Sequence, residues 1–293
     1  MEKVVLYCKS YRRDFNRLLR LARSIEKHNS DRIPFYVSVS ADDHALFLPS
    51  AQLLGFTLIK DEDIISCNER IDSRRFKTLP GYLQQQIVKA EFWRLKLCEN
   101  YLCIDSDSEF LRDFLREDFI SPEGQPYSVI HEEHGLMEEL IVRGKTDKLQ
   151  SYFNDASNVQ TELSRTGRTY SFGPTPVLWS AAVWSDLDEN FFKSQKMSIL
   201  DAIVKIPSEL RWYGEALLKY QSIPMLPIEP LFKVLHYHWQ NSKWLKKMLK
   251  SPYFNKLYLG VIYQSNWDAS MDWPKERGNW ASRWGRRLKQ KWF

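Results

Sequence analysis

The stretch that decides the fold runs from Pro80 to Phe114: PGYLQQQIVKAEFWRLKLCENYLCIDSDSEFLRDF. Its first half places Leu83, Ile87, Val88, Phe92, Leu95 and Cys98 at helical spacing on one face, interrupted by Glu91 and Arg94. Gln85, Lys89, Trp93 and Lys96 fall on the other side. Pro80-Gly81 is a turn before the helix and Asn100 a stop. Tyr101 to Ile104 then reads as a short buried strand that ends on two carboxylates, Asp105 and Asp107. Ligands of open α/β sheets bind beyond the carboxyl ends of strands, where Asp-Ser-Asp falls. Two carboxylates this close repel each other, and a hard divalent cation relieves them. The plain alternative is a pair of turn residues after a strand.

Upstream, the chain opens with a strand at Val4 to Cys8 and a helix from Asp14 carrying Phe15, Leu18, Leu19, Ala22 and Ile25. A strand at Phe35 to Ser40, a helix at Leu46 to Leu54 and a strand at Phe56 to Ile59 follow. This β-α-β-α-β order predicts parallel strands joined by helical crossovers. Arg74, Arg75 and Lys77 form a basic loop before the central helix, either solvated or a lid over phosphate.

The central stretch resembles the diphosphate-metal motif of GT-A glycosyltransferases, in which a helix bearing a donor-binding basic residue precedes an apolar strand ending in Asp-x-Asp. Lys89 stands at the offset from Asp105 that glycogenin-like transferases use, and Gly-Tyr-x-x-Gln-Gln-Ile-Val-Lys is similar to a group of uncharacterised bacterial GT-A-like proteins. The resemblance implies an α/β fold: one GT-A-like (Rossmann-like) domain over residues 1–268, with a mixed central sheet flanked by helices and a tail over 269–293. It implies Mn2+ or Mg2+ on Asp105 and Asp107, with Tyr7, Ser10, Asp63, Gln85, Lys89 and Ser106 on the donor side.

Later segments extend it. Phe172 to Ser180, with one Gly and two Pro, is a non-helical lead into a strand and resembles an acceptor-side segment; Val183, Trp184 and Leu187 continue as a core helix. Ser208 caps a helix with Glu209 in its first turn. By resemblance Glu209, or else Glu215, faces the acceptor and serves as general base if the reaction inverts. Val234 to Trp239 reads as a late strand with His236 and His238 on one face, either of them a third metal ligand by resemblance. Lys243 is a further diphosphate candidate, although the Pro of Lys-Pro-Trp is missing at Lys243-Trp244. Tyr127 to His131 is strand-like. Glu132, Glu133 and His134 have no zinc-motif spacing and are read as surface or acceptor-side. Lys145 to Thr169 is polar, a helix carrying an acceptor loop, and Leu257 to Tyr263 is a last strand.

Charge is unevenly placed. Of the net +5, residues 275–293 contribute +6 from seven Lys or Arg and one Glu, so the body is nearly neutral. That argues against a nucleic-acid-binding body. If the tail is helical, Trp280, Trp284, Leu288 and Trp292 form a stripe with the cations mostly elsewhere, the pattern of a helix at an anionic membrane surface. No apolar run spans a bilayer, and the four cysteines lack zinc spacing and are read as reduced thiols of a cytoplasmic protein.

The sequence therefore predicts a hexosyl transfer from a nucleotide-sugar, a UDP-sugar foremost, to a glycan or lipid-linked acceptor. The setting expected is bacterial surface polysaccharide or lipopolysaccharide synthesis at the inner face of the cytoplasmic membrane. Two alternatives stand beside it: a nucleotidyltransferase acting on sugar phosphates, although Tyr7 to Asp14 has no Gly for a phosphate loop, and a non-catalytic glycan-binding scaffold.

Overall fold

The structure, a computed structural model, describes residues 1–236, 245–251 and 253–264. Five strands form the central sheet in the order β3-β2-β1-β4-β7. They are β1 (Glu2–Lys9), β2 (Phe35–Val39), β3 (Thr57–Lys60), β4 (Cys98–Asp105) and β7 (Val177–Ser180). The first four run parallel and β7 is antiparallel to β4, so the sheet is mixed. Helices α1 (Phe15–His28) and α2 (Ala41–Leu54) make the first two crossovers.

The long return from β3 to β4 passes through α3 (Asp61–Ser66), α4 (Ser73–Thr78) and α5 (Gly81–Glu91). The predicted central helix stops at Glu91. A 3-10 turn over Phe92–Leu95 and a left-handed Lys96, at φ 55, turn the chain into β4, so Cys98 begins the strand instead of ending the helix. The basic segment is α4, not a loop. Asp72 caps it, and Arg75 pairs with Asp201.

The middles of β1 and β4 are apolar because both faces of the sheet are covered there. In β1, Val5 and Tyr7 enter one core cluster while Val4, Leu6 and Cys8 enter the other. In β4 the same alternation sends Tyr101 and Cys103 one way and Leu102 and Ile104 the other.

Beyond β4 the chain forms β5 (Ser108–Phe110), β6 (Ser128–Val129), α6 (His134–Val142) and α7 (Thr146–Glu162). After β7 come α8 (Ala181–Leu187), α9 (Ile199–Lys205), α10 (Glu209–Tyr220), β8 (Pro227–Ile228), β9 (Phe232–Leu235) and β10 (Gly260–Tyr263). Strands β5, β10 and β9 form a second sheet, and β6 pairs with β8. Gly260 is needed where β10 crosses β5, since a Cβ there would lie 2.2 Å from the Glu109 carbonyl. No helix among the described residues is long and apolar enough to cross a membrane.

Candidate functional site

Strand order reverses at β1, whose neighbours are β2 and β4, and the crevice at the carboxyl ends of β1 and β4 is the switch point of the sheet. Lys9 and Asp105 are direct partners across these strand ends. A cleft of about 610 Å³ opens there. Its walls are the ends of β1 and β4 and the Gln85 and Lys89 side of α5, with Glu209 of α10 and Gln264 completing them.

Lys89 is the hub. It is 3% exposed, and its Nζ donates to Asp105 Oδ1 at 2.5 Å and reaches Glu209 Oε1 at 3.5 Å. Burial works against the ammonium, but Asp105 and Glu209 outweigh it and hold the pKa well above the lysine range. Asp105 uses both oxygens, because Thr175 Oγ1 donates to Oδ2 at 2.5 Å. Burial raises its pKa, yet Lys89, with the bonds from Lys89 and Thr175, brings the net below the usual carboxylate value. Burial pushes Glu209 up, Lys89 pulls it back and Asp105 pushes it up again, so the carboxyl stands above its ordinary value.

Asp107 differs from Asp105. Burial and the nearby charge of Asp105 push its carboxyl up to about 7, although Arg17 and Arg20 pull the other way. Its carbonyl accepts from the Tyr263 N–H at 3.0 Å, which ties the loop after β4 to β10. Between the two aspartates, Ser106 Oγ donates to Asp14 Oδ2 at 3.1 Å, and Arg17 pairs with the same Asp14.

The donor set fits a hard dication. Asp14, Asp43, Asp61, Asp105, Asp107 and Glu209 line the cleft against Lys9, Arg17 and Lys89, a net of −3. An anion such as a diphosphate enters so negative a cleft only with a cation. Among the described residues no three His, Cys, Asp or Glu side chains can hold a metal by themselves. Magnesium and manganese are commonly held by one or two carboxylates plus substrate phosphates and water, a number that Asp105 and Asp107 could supply.

The β1 side of the cleft is polar and unsaturated. Ser10 is 1% exposed, and its Oγ has no hydrogen-bond partner among the described residues; nor does Asp61 Oδ1. Asp61 pairs with Lys9 at 2.8 Å. Burial raises its carboxyl, and Lys9 only partly offsets this. Two buried polar atoms facing one cleft are poised for a polar ligand.

The structure brings Ser10, Gln85, Lys89, Asp105, Ser106, Asp107 and Glu209 together in this cleft. It places four other sequence-based candidates elsewhere. Tyr7 is core: its ring stacks on Phe92 at 3.8 Å and its hydroxyl bonds Ser38 Oγ at 2.8 Å. Asp63 is exposed on α3, and Asp61, two residues earlier, is the carboxylate that faces the cleft. Glu215 is fully buried against Arg165, whose guanidinium holds both of its oxygens. Six residues turn it about 240° from Glu209 around the helix. His236 follows β9, outside the central sheet, and lines a different pocket with Glu139 and Lys233; burial lowers its pKa. His238, Lys243 and the tail over 269–293 lie outside the described residues.

Because Glu215 and Arg165 are a buried pair, Glu215→Ala should cost stability of about 3–5 kcal/mol. Ligand binding in the cleft per folded molecule should stay unchanged at low temperature. Thermal melts beside a cold nucleotide-binding measurement check this; lost binding in a fully folded sample would return Glu215 to the site.

Thr175, Asp14, Asp61 and Lys9 are site residues that sequence reasoning missed. Thr175 reaches Asp105 because the segment before β7 is pinned against α10. A Cβ on Gly214 would meet the Phe172 ring at 2.0 Å, so glycine permits that contact.

Residues 4–267 match the model of a family of unknown function, DUF6492. The chain belongs to this family. The matched range takes in every residue of the cleft, from Lys9 to Gln264. No curated protein matches the chain.

Proposed function

We propose that the protein is a metal-dependent glycosyltransferase that moves a sugar from a nucleotide-sugar, a UDP-sugar foremost, to a hydroxyl of a glycan or lipid-linked acceptor. The observation that carries the reading is the Asp105-Lys89-Glu209 cluster at the switch point of the sheet, with Asp107 beside it. Asp107, with Asp105, would hold manganese or magnesium. When bound, that ion offsets negative charge on the leaving diphosphate.

Within the reading the chain's residues divide the work. Ser10 and Asp61 offer one acceptor-capable hydroxyl and one free carboxylate oxygen to the nucleoside. Lys89 supplies a fixed positive charge beside the reacting group and offsets the repulsion between Asp105 and Glu209. Thr175 fixes the Asp105 carboxylate from the opposite side. Glu209, 8% exposed and raised in pKa, is placed to take a proton from an acceptor hydroxyl if the reaction inverts. Glu209→Gln should then lower kcat by about 10²–10⁴-fold while leaving donor affinity unchanged. A variant that loses donor binding in parallel would assign Glu209 to the donor instead.

A thermal-shift screen of nucleotide-sugars with and without manganese tests the reading and identifies the donor. A stabilisation that needs both components supports it; the same response to the sugar without metal counts against it.

The setting proposed is the inner face of the cytoplasmic membrane, in synthesis of bacterial surface polysaccharide or lipopolysaccharide. The support is the composition of residues 275–293, with seven Lys or Arg and several Trp. Each basic residue near an anionic surface contributes about 1 kcal/mol. Deleting residues 275–293 should abolish pelleting with anionic liposomes and spare pelleting-independent donor binding; unchanged pelleting ends this part of the proposal.

A further inference from the structure

A second pocket, of about 700 Å³, lies on the other side of the segment that leads into β7. Pro174 lines it, while the next residue, Thr175, holds Asp105 in the cleft. His131 Nε2 contacts the Gly173 carbonyl at 2.5 Å, so the pocket floor and this shared wall are tied together. The volume falls within the range of small-molecule sites.

The lining has a consistent chemistry. Glu132, Glu133, Glu139 and Glu229 line it together with Lys233 and three histidines, His131, His134 and His236, with no arginine among the described lining residues. Arg168 engages Glu132, and Arg143 engages Glu139. Glu133 and Glu229 have no lysine or arginine partner among the described residues; Glu133 accepts from Ser171, and Glu229 stands 3.8 Å from His131. Their carboxylates can accept paired hydroxyl protons. Tyr170 and Tyr258 add half-buried aromatic faces.

We propose that this pocket binds a sugar, and that it prefers an uncharged sugar to a uronic or phosphorylated one. Acidic sugars call for guanidinium forks or several ammonium groups, whereas this lining offers them four carboxylates, three imidazoles and a single ammonium. Hydroxyl-rich neutral rings meet carboxylate acceptors and tyrosine faces instead. This preference does not depend on the transferase reading.

Gly135 gives a clean test. It lines the pocket, and a Cβ built on it meets nothing within 4 Å, so a side chain can start there without a clash and Gly135→Trp adds bulk at the pocket wall. Saturation-transfer NMR on the full chain would use millimolar methyl glycosides of glucose, galactose, mannose and N-acetylglucosamine, with methyl glucuronide as the acidic probe. At least one neutral glycoside should show transfer, methyl glucuronide should show several-fold less, and Gly135→Trp should abolish the neutral signal. If Gly135→Trp melts below the parent, Tyr258→Ala replaces it and should weaken the signal several-fold. Persistence of the neutral signal in the variant overturns the proposal, as does an equal signal from methyl glucuronide or no signal from any neutral probe. Manganese-dependent UDP binding, measured on the same samples, reports the donor reading separately: its loss in the parent chain sinks that reading, while intact UDP binding without glycoside transfer sinks only the pocket.

Discussion

Asp107→Asn should lower metal-dependent turnover by about 10²–10³-fold, the usual cost of losing one preorganised electrostatic contact at the reacting charge. It should do so without unfolding the protein. Burial and Asp105 hold the Asp107 carboxyl at about 7, against an ordinary value of 3.8. The folded chain therefore keeps a proton at this site that the unfolded chain releases. The sign follows: the Asp107 contribution to stability falls as pH rises from about 4 through 7. Asparagine removes that slope. At pH 8 the variant should melt at or above the parent while turnover is lost, the stability-for-function exchange expected at a site. On the proposed reading, the same proton would give metal binding its pH dependence. Below about 7 a cation must displace it, so manganese affinity should climb through that pH and level off above it. Melting curves at pH 6 and 8, beside activity with manganese, check both parts. A variant that melts lower at pH 8, with turnover intact, would make Asp107 a structural turn residue.

Lys89→Met should have the second large effect, and here stability and activity fall together. The change leaves Asp105 and Glu209 facing each other without the ammonium between them. Breaking a buried pair in this way costs about 3–5 kcal/mol. In the parent, Lys89 holds the Asp105 carboxyl below its ordinary value, so that contribution is present at neutral pH and is lost on acidification through the lowered pKa. Without Lys89 the dependence reverses, because two carboxylates that resist ionisation destabilise the fold as pH rises. Turnover should drop by about 10²–10³-fold. Urea melts at pH 5 and 8 give the answer: the variant should be closer to the parent at pH 5. A deficit equal at both pH values would show that Lys89 acts through packing alone.

The fold was legible because its strands and helices have the two periodicities that sequence displays directly. Val4 to Cys8 and Tyr101 to Ile104 are continuous apolar runs since both faces of β1 and β4 are covered. Asp105, Asp107, Lys89 and Glu209 were legible as positions, since each stands at an element boundary or a fixed helical offset. What failed was direction within an element. Tyr7 and Ser10 are three residues apart, yet strand alternation buries the Tyr7 ring against Phe92, and only Ser10 emerges at the strand end. Asp61 and Asp63 share the first turn of α3, and pairing with Lys9 singles out Asp61. Glu209 and Glu215 share α10, but Arg165, distant in sequence, claims Glu215. Thr175 carried no signal of its own, because its contact with Asp105 spans 70 residues. His236 was placed by a late-strand pattern that is real, but β9 belongs to the second sheet and turns His236 toward another pocket.

The central claim is that this cleft binds a nucleoside diphosphate through a divalent cation. Titrating the full chain with UDP in a calorimeter, in manganese and then in chelator, tests it most directly. The account predicts binding in manganese that chelator abolishes and that Asp107→Asn eliminates. Binding of equal strength in chelator, or none in manganese with UDP, GDP, ADP or CDP, would contradict it.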